Sequence, residues 1–251
     1  QLEKAARAGR ISELPRMGPA LEQTILRGIE QDKTRSARVP LAEAEAYVRP
    51  LVERLRAMPE VDQLDVAGSF RRRSETVGDV DILVASRDAA AVATVFLGDS
   101  DAKQVLARGD TRCSVVLRSG LQVDLRIVPA ASYGSALHYF TGSKAHNIRL
   151  RERAVKQGLS LSEHGVTDGD GDVKVHAAED GVYAALGLPW IPPELREDTG
   201  EIEVAGAGLL PELVQLPDLQ GDLHVHTTWS DGRDTLEGMV RAAEELGLRY
   251  L

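Results

Sequence analysis

The chain has 251 residues, 43% of them hydrophobic, a formal net charge of −9 and a single cysteine. That hydrophobic share is ample for packed cores, and the lone Cys113 excludes an internal disulfide framework; no apolar run is long enough for a membrane span or resembles a secretory leader. The acidic balance argues against a protein that coats nucleic acid by bulk charge, so any grip on phosphates has to come from local basic patches, and a cytoplasmic protein with no membrane partner is expected.

In chain order, "ISELPRMGPALEQTILRGI" places Leu14, Leu21, Ile25 and Ile29 at roughly helical spacing around Pro15 and Gly18, which predicts two short helices joined by a hairpin. After the polar "EQDKTRSARVP", residues 41–57 read as an amphipathic helix ending before Pro59. From Val61 to Val128 the pattern turns to strands, "VDQLDVAG", "DVDILVAS", "AKQVLARG", "RCSVVLRS" and "LQVDLRIVP", with a helical insert near Ala89–Leu97, so a mixed α/β sheet is expected. Residues 132–157 read as helix again, followed by a "DGDGDV" turn, a helix near Ala178–Leu186 and "LPWIPPEL". Residues 194–216, acidic and carrying Gly206 and Gly208, have the composition of a connector, and "LQGDLHVHTTWSDG" opens a further unit. Gln1 in place of a methionine, and an end inside "LGLRYL", lead to the expectation of a fragment.

Two aspartates, Asp79 and Asp81, stand one residue apart on an apolar strand in "AGSFRRRSETVGDVDILVAS". Residues i and i+2 of a strand point to the same face, with alpha carbons roughly 6.5–7 Å apart. Two unpaired anions at a sheet surface repel by about a kcal/mol or more, or raise one pKa, unless a cation sits between them. Asp124 alternates with Val123 and Leu125 on "LQVDLRIVP", so if the two strands are neighbours three carboxylates meet. Hard oxygen ligands of this kind suit Mg²⁺ and can hold two ions about 3.5–4 Å apart for an in-line phosphoryl displacement. Gly68-Ser69 closes the preceding strand ahead of Arg71, Arg72 and Arg73: the glycine lets backbone approach a ligand, and the serine can donate to phosphate oxygens.

"GSFRRRSETVGDVDI" resembles the nucleotidyltransferase signature, and with "VDLRIVP" and "YFTGSKAHNIRLRERA" the chain closely resembles family X DNA polymerases of the bacterial type. The resemblance implies that Asp79, Asp81 and Asp124 are catalytic and hold two Mg²⁺ or Mn²⁺ ions, Asp124 also activating the primer 3′-hydroxyl. It implies nucleotide contacts at Gly68, Ser69, Arg72 and Gly78 for the phosphates, at Tyr139, Phe140 and Gly142 for the sugar, and at Asn147 for the minor-groove edge. Gly18, Arg126 and Arg151 would contact DNA. Lys144 departs from the acidic or polar residue expected after Ser143, and His138 and His146 read as ordinary helix residues.

"ELPRMGPAL" partly resembles the hairpin of a helix-hairpin-helix, with Arg16 and Pro19 where a glycine and a lysine are expected. In "GDLHVHTTWSDG", His224 and His226 are expected to alternate on a strand with Asp231 within reach, a ligand set for Mn²⁺, Zn²⁺ or Fe²⁺ that resembles the opening motif of a PHP (polymerase and histidinol phosphatase) domain. About 30 residues cannot close a (β/α) barrel, so that site should be incomplete. The expected architecture is multidomain α/β: helix-hairpin-helix fingers in 1–57, a mixed-sheet nucleotidyltransferase palm in 58–130, a small α/β thumb in 131–195, a linker in 196–218, and the first strand and helix of a PHP barrel in 219–251. The implied activity is a gap-filling DNA-directed DNA polymerase, a monomer using dNTPs on gapped or primed DNA, with a 3′-5′ exonuclease or phosphoesterase in the complete PHP domain. The rivals are a template-independent nucleotidyltransferase and a DNA-end nuclease or binding protein with a vestigial polymerase site.

Overall fold

Alternating apolar residues along residues 61–128 fold into a five-stranded sheet of β2 (Val61–Val66), β4 (Asp79–Ser86), β5 (Ala102–Arg108), β6 (Arg112–Leu117) and β7 (Gln122–Val128), in the order β2-β4-β7-β6-β5. The β4/β7 pair is parallel and the other three are antiparallel, so the sheet is mixed. A computed structural model provides these coordinates and describes residues 2–12, 14, 17–19, 21–26 and 38–251. The chain divides into two units, Gln1–Leu209 and Leu210–Leu251.

The sheet's two faces differ. Val80, Ile82 and Val84 of β4, with Val123, Leu125 and Ile127 of β7, join Val48, Leu51 and Leu55 of helix α2 (Leu41–Arg56) and Val92 and Phe96 of helix α4 (Ala89–Leu97) in the main core. On the opposite face Leu83 and Ala85 pack with Ala67 against Tyr133, Ala136 and Leu137 of helix α5 (Tyr133–Thr141). Asp79 and Asp81 share that second face but precede the residues packed on the helix, and both are half-buried. Each buried aliphatic side chain contributes about 1.5–3 kcal/mol. A one-residue slip of β4 would expose several of them, which outweighs the roughly 1 kcal/mol of repulsion between exposed like charges. Apolar burial therefore fixes where the carboxylates stand.

Helices 41–56 and 89–97 and all five strands fall where the sequence predicts them. A two-residue pairing of β1 (Val39–Pro40) with β3 (Thr76–Val77) is too short to leave a pattern. The helix expected over 132–157 is broken at Gly142-Ser143, joined by a cis peptide, into α5 and α6 (Lys144–Lys156). Ser143 caps the second helix, its hydroxyl accepting from His146 N at 3.2 Å. Three short strands, β8 (Ser160–Ser162), β9 (Gly165–Thr167) and β10 (Val173–Lys174), form a small sheet around the "DGDGDV" turn, ahead of helix α7 (Glu179–Ala185).

Within the stretch that reads as connector, Glu201–Gly206 forms helix α8 of the first unit, with Glu201, Ile202 and Ala205 buried. Near the N-terminus, α1 spans Leu2–Arg7 and residues 21–26 are helical; the Glu22 carboxylate accepts from the amides of Ile11 and Ser12, both at 3.0 Å. The hairpin expected across "ELPRMGPAL" includes Glu13, Pro15, Arg16 and Ala20, which lie outside the described residues, as does Ile29.

The second unit corrects one expectation. His224 and His226 do not lie on a strand; the segment makes one isolated parallel bridge, Gly221 to Tyr250. A lone extended segment has no ladder to hold it. Helix α9 (Leu236–Glu245) follows, capped by the Thr235 hydroxyl accepting from Gly238 N at 3.0 Å.

Candidate active site

Because β4 and β7 run parallel, their register sets Asp81 directly opposite Asp124, with neighbouring strands about 4.8 Å apart. Asp124 is buried. The hydroxyl of Ser114, its cross-strand partner on β6, donates to Oδ1, and the Gln122 amide donates to Oδ2 at 3.1 Å. Burial, then the charges of Asp79 and Asp124, push the Asp81 carboxyl up to about 7, with Arg126 and Arg112 pulling the other way. Among the described residues no three His, Cys, Asp or Glu side chains stand as a ready-made metal cage. The register pairs Asp81 with Asp124, and Asp79 stands two residues back on the same face of β4.

The donor set nevertheless fits a divalent cation. Hard carboxylate oxygens converge, and the raised Asp81 carboxyl marks negative charge that a cation would relieve.

Gly68, at φ +63°, sits directly over this carboxylate: a Cβ there would stand 2.7 Å from Asp81 Oδ2. Only glycine lets the turn close so tightly. Ser69 follows, half-buried, in the one-turn helix α3 (Gly68–Arg71). Arg72 donates from Nη1 to the Thr141 carbonyl at 2.7 Å and from Nε to Glu197 at 2.6 Å. Its guanidinium lies against Gly142, which has φ +69° and would bring a Cβ within 3.3 Å of Nη1. Arg71 points instead into a buried cluster: a two-point pairing with Glu179 at 2.9 and 2.8 Å, and a bond to Thr141 Oγ1 at 2.8 Å. Gly78, beside Asp79, faces Arg38, whose Nη1 lies 3.6 Å from a would-be Cβ and whose Nε bonds Thr76 Oγ1 at 2.9 Å.

The aromatic pair joins the same face. Tyr139 and Phe140 meet edge to face at 5.2 Å, the Arg126 guanidinium lies 4.7 Å over Phe140, and Arg151 lies 5.9 Å over Tyr139. Arg126 Nε is buried without a partner. Asn147 donates to the Tyr139 carbonyl at 2.8 Å while its own Oδ1, also buried, has none, and Arg151 Nε reaches the Asn147 carbonyl at 3.3 Å. Tyr139, Asn147 and Arg151 are thus one group at the α5–α6 turn. Gly18 is exposed, with no described residue within 4 Å of a would-be Cβ.

Several site neighbours carry no local signal in the sequence. Arg38 and Ser114 arrive by strand pairing from distant segments, and Glu179, Arg196 and Glu197 arrive from the region after α6. His138 and His146 lie in helices α5 and α6, and both are buried. Burial keeps His146 low and neutral, so it donates from Nδ1 to the ionised Glu201 at 2.6 Å and accepts from the Tyr183 hydroxyl at 3.0 Å. Burial, with the nearby charge of Arg196, pushes His138 down to about 3, and among the described residues neither of its ring nitrogens has a partner.

In the second unit, His224 and His226 stack with ring centroids 4.9 Å apart and planes 12° from parallel, and His226 pairs with the Asp231 carboxylate. That contact draws the Asp231 carboxyl below its ordinary range. These three side chains are close, but they are not a ready-made cage either.

With this geometry in view, the chain matches the palm of DNA polymerase beta over residues 38–115 and the thumb of the same polymerase over 136–197. It is 36% identical over 253 residues to the DNA polymerase/3′-5′ exonuclease PolX of Bacillus subtilis (strain 168), covering 100% of this chain and 44% of that protein. It is 32% identical over 159 residues to DNA polymerase lambda of Rattus norvegicus, covering 52% of this chain and 28% of that protein. Its fold resembles Leishmania infantum polymerase beta, solved as a ternary gap complex, with a TM-score of 0.59 and 20% identity over 78% of this chain and 81% of that one. The chain spans less than half the length of the curated relatives it matches. A polymerase beta palm followed by its thumb, and the end-to-end match to a bacterial PolX, establish that this chain belongs to the bacterial-type family X DNA polymerases.

Proposed function

We propose that the chain is the polymerase portion of a gap-filling DNA-directed DNA polymerase that adds a deoxynucleotide to a primer end. The observation that carries this reading is the parallel register that opposes Asp81 and Asp124 beneath Gly68, beside the Ser69 and Arg72 turn. On this reading residues 58–130 are the palm, 131–195 with helix α8 the thumb, 1–57 helix-hairpin-helix fingers holding DNA through Gly18, 210–218 a linker and 219–251 the start of a PHP barrel.

Asp79, Asp81 and Asp124 would hold the divalent cations, Mg²⁺ or Mn²⁺. When bound, such ions supply Lewis acidity toward the 3′-hydroxyl and neutralise charge on the transferring phosphate. The chain's own residues do the rest. Asp124, buried and oriented by Ser114 and Gln122, is placed to take up the hydroxyl proton. Ser69, Arg72, Gly78 and Arg38 would hold the β and γ phosphates in line. Tyr139, Phe140 and Gly142 would pack on the sugar, Asn147 would offer its unpartnered oxygen side to the minor-groove edge, and Arg126 and Arg151 would steady the strands, contacts that read shape and accept any base pair. The substrates on this reading are dNTPs and gapped or primed DNA; the Leishmania polymerase beta was solved as a ternary gap complex and as a ternary P/T complex. In the complete protein His224, His226 and Asp231 would join further ligands around Mn²⁺ or Zn²⁺ for 3′-5′ exonuclease work, an activity that the Bacillus relative's name includes.

Primer extension on gapped DNA with Mg²⁺ or Mn²⁺ tests this reading. Asp124→Ala should abolish extension and leave DNA binding near wild type; an Asp124→Ala protein that extends primers refutes it.

A further inference from the structure

Arg72 does not stand free in its turn. Its Nε donates to Glu197 at 2.6 Å and its Nη1 to the Thr141 carbonyl at 2.7 Å, so the remaining N–H groups, on Nη1 and Nη2, are presented in one fixed plane. Glu197 is itself on a rigid stem. Its amide bonds the Leu195 carbonyl at 2.9 Å, and the preceding Arg196 is fully buried, bonded to Ile191 O at 2.8 Å and to Glu179 at 2.7 Å. Two adjacent arginines, Arg71 at the end of α3 and Arg72 just past it, thus meet two anchored carboxylates, Glu179 and Glu197.

An arginine left to its own rotamers has to be ordered each time it binds an anion, and an arginine ordered in advance does not. Glu197 could act the other way, by cancelling the charge that attracts phosphate. Its side chain is 43% exposed, however, so solvent screens its charge, while the bond to Nε survives as an orienting contact. Orientation is the larger effect.

We infer that Glu197 is a positioning residue for Arg72, setting the guanidinium plane for the incoming nucleotide's phosphates, a role that rests on the reading of Arg72 as a triphosphate contact. A partly exposed pair adds little to stability, so its removal leaves the fold intact.

The test is steady-state extension of gapped DNA by full-length Glu197→Ala, Glu197→Gln, Arg72→Ala and the double variant, with melting temperatures measured alongside. Glu197→Ala should raise KM for the dNTP on the order of tenfold, the scale of one charge-assisted hydrogen bond, with kcat and melting temperature near wild type. Glu197→Gln keeps an acceptor for Nε and should recover part of that loss. The double variant should be no worse than Arg72→Ala alone, because Glu197 acts only through that arginine. If Arg72→Ala raises KM while Glu197→Ala does not, or if the two effects add, Glu197 is no positioning residue and the triphosphate reading stands. If Arg72→Ala itself leaves KM unchanged, that reading fails and the role of Glu197 goes with it.

Discussion

A single methyl group probes the site most sharply at Gly68. Alanine there would hold φ near +63°, a region that costs an L-residue about 1–2 kcal/mol, and would drive its Cβ to 2.7 Å from Asp81 Oδ2. The carboxylate has to move, and a displacement of about 1 Å at a reacting centre costs on the order of 100-fold in rate. Gly68→Ala should therefore lower kcat on gapped DNA by about that factor while urea unfolding shows only the small backbone penalty; wild-type turnover would show that the turn does not press on Asp81. Asp79 and Asp81 could be found in the sequence because strand periodicity sets them on one face, and Asp124 because it alternates with Val123 and Leu125. Ser114 could not, because its hydroxyl reaches Asp124 only through the β6/β7 register, and neither could the buried pairing of His146 with Glu201 across two helices.

At the scale of elements, α7 is tied to the turn after β2 through Glu179. Burial alone would raise its carboxyl, but hydrogen bonds from Arg71 and Arg196 hold it down to about 2, from an ordinary 4.5. The folded value lies below the unfolded one, so this contribution is complete above pH 4.5 and is lost as pH falls from there toward 2. The Trp190 indole donates to Glu179 Oε2 at 3.1 Å, which makes Trp190 fluorescence, in a Trp229→Phe background, the natural reporter of an acid transition in that window. Glu179→Gln should remove that pH dependence and destabilise the protein by about 3 kcal/mol, because the buried Arg196 and the partly buried Arg71 lose their charge partner; an unchanged acid transition in the variant would assign it to other carboxylates. The helices and strands around this seam could be read from apolar spacing. Helix α8 could not, since its acidic, glycine-flanked sequence matches a solvated connector and only the burial of Glu201 and Ile202 explains it.

At the scale of the molecule, the two units differ in what holds them. In residues 210–251 Ala243 is the one buried residue, while Leu223 is 86% and Trp229 90% exposed. A peptide of these residues should show no cooperative thermal transition by circular dichroism, since too little apolar surface is removed from water to offset ordering the chain; a sharp melt would mean that it carries a core of its own. In this unit His224, His226 and Asp231 stand close together, but the strand expected to carry the histidines is absent, because a strand needs neighbours that a local pattern does not contain. The parallel pairing of β4 with β7 has a further evolutionary meaning. On the proposed reading the chemistry depends on the register between two strands distant in the chain, so the loops that join α4, β5 and β6 can vary in length while those elements themselves stay fixed by the core and by Ser114. One residue gained inside β7 ahead of Asp124 would turn that acid into the aliphatic layer and, on the proposed reading, stop primer extension. Insertions among descendants should therefore gather in the loops, and the spacing within those two strands should outlast almost everything else in the molecule.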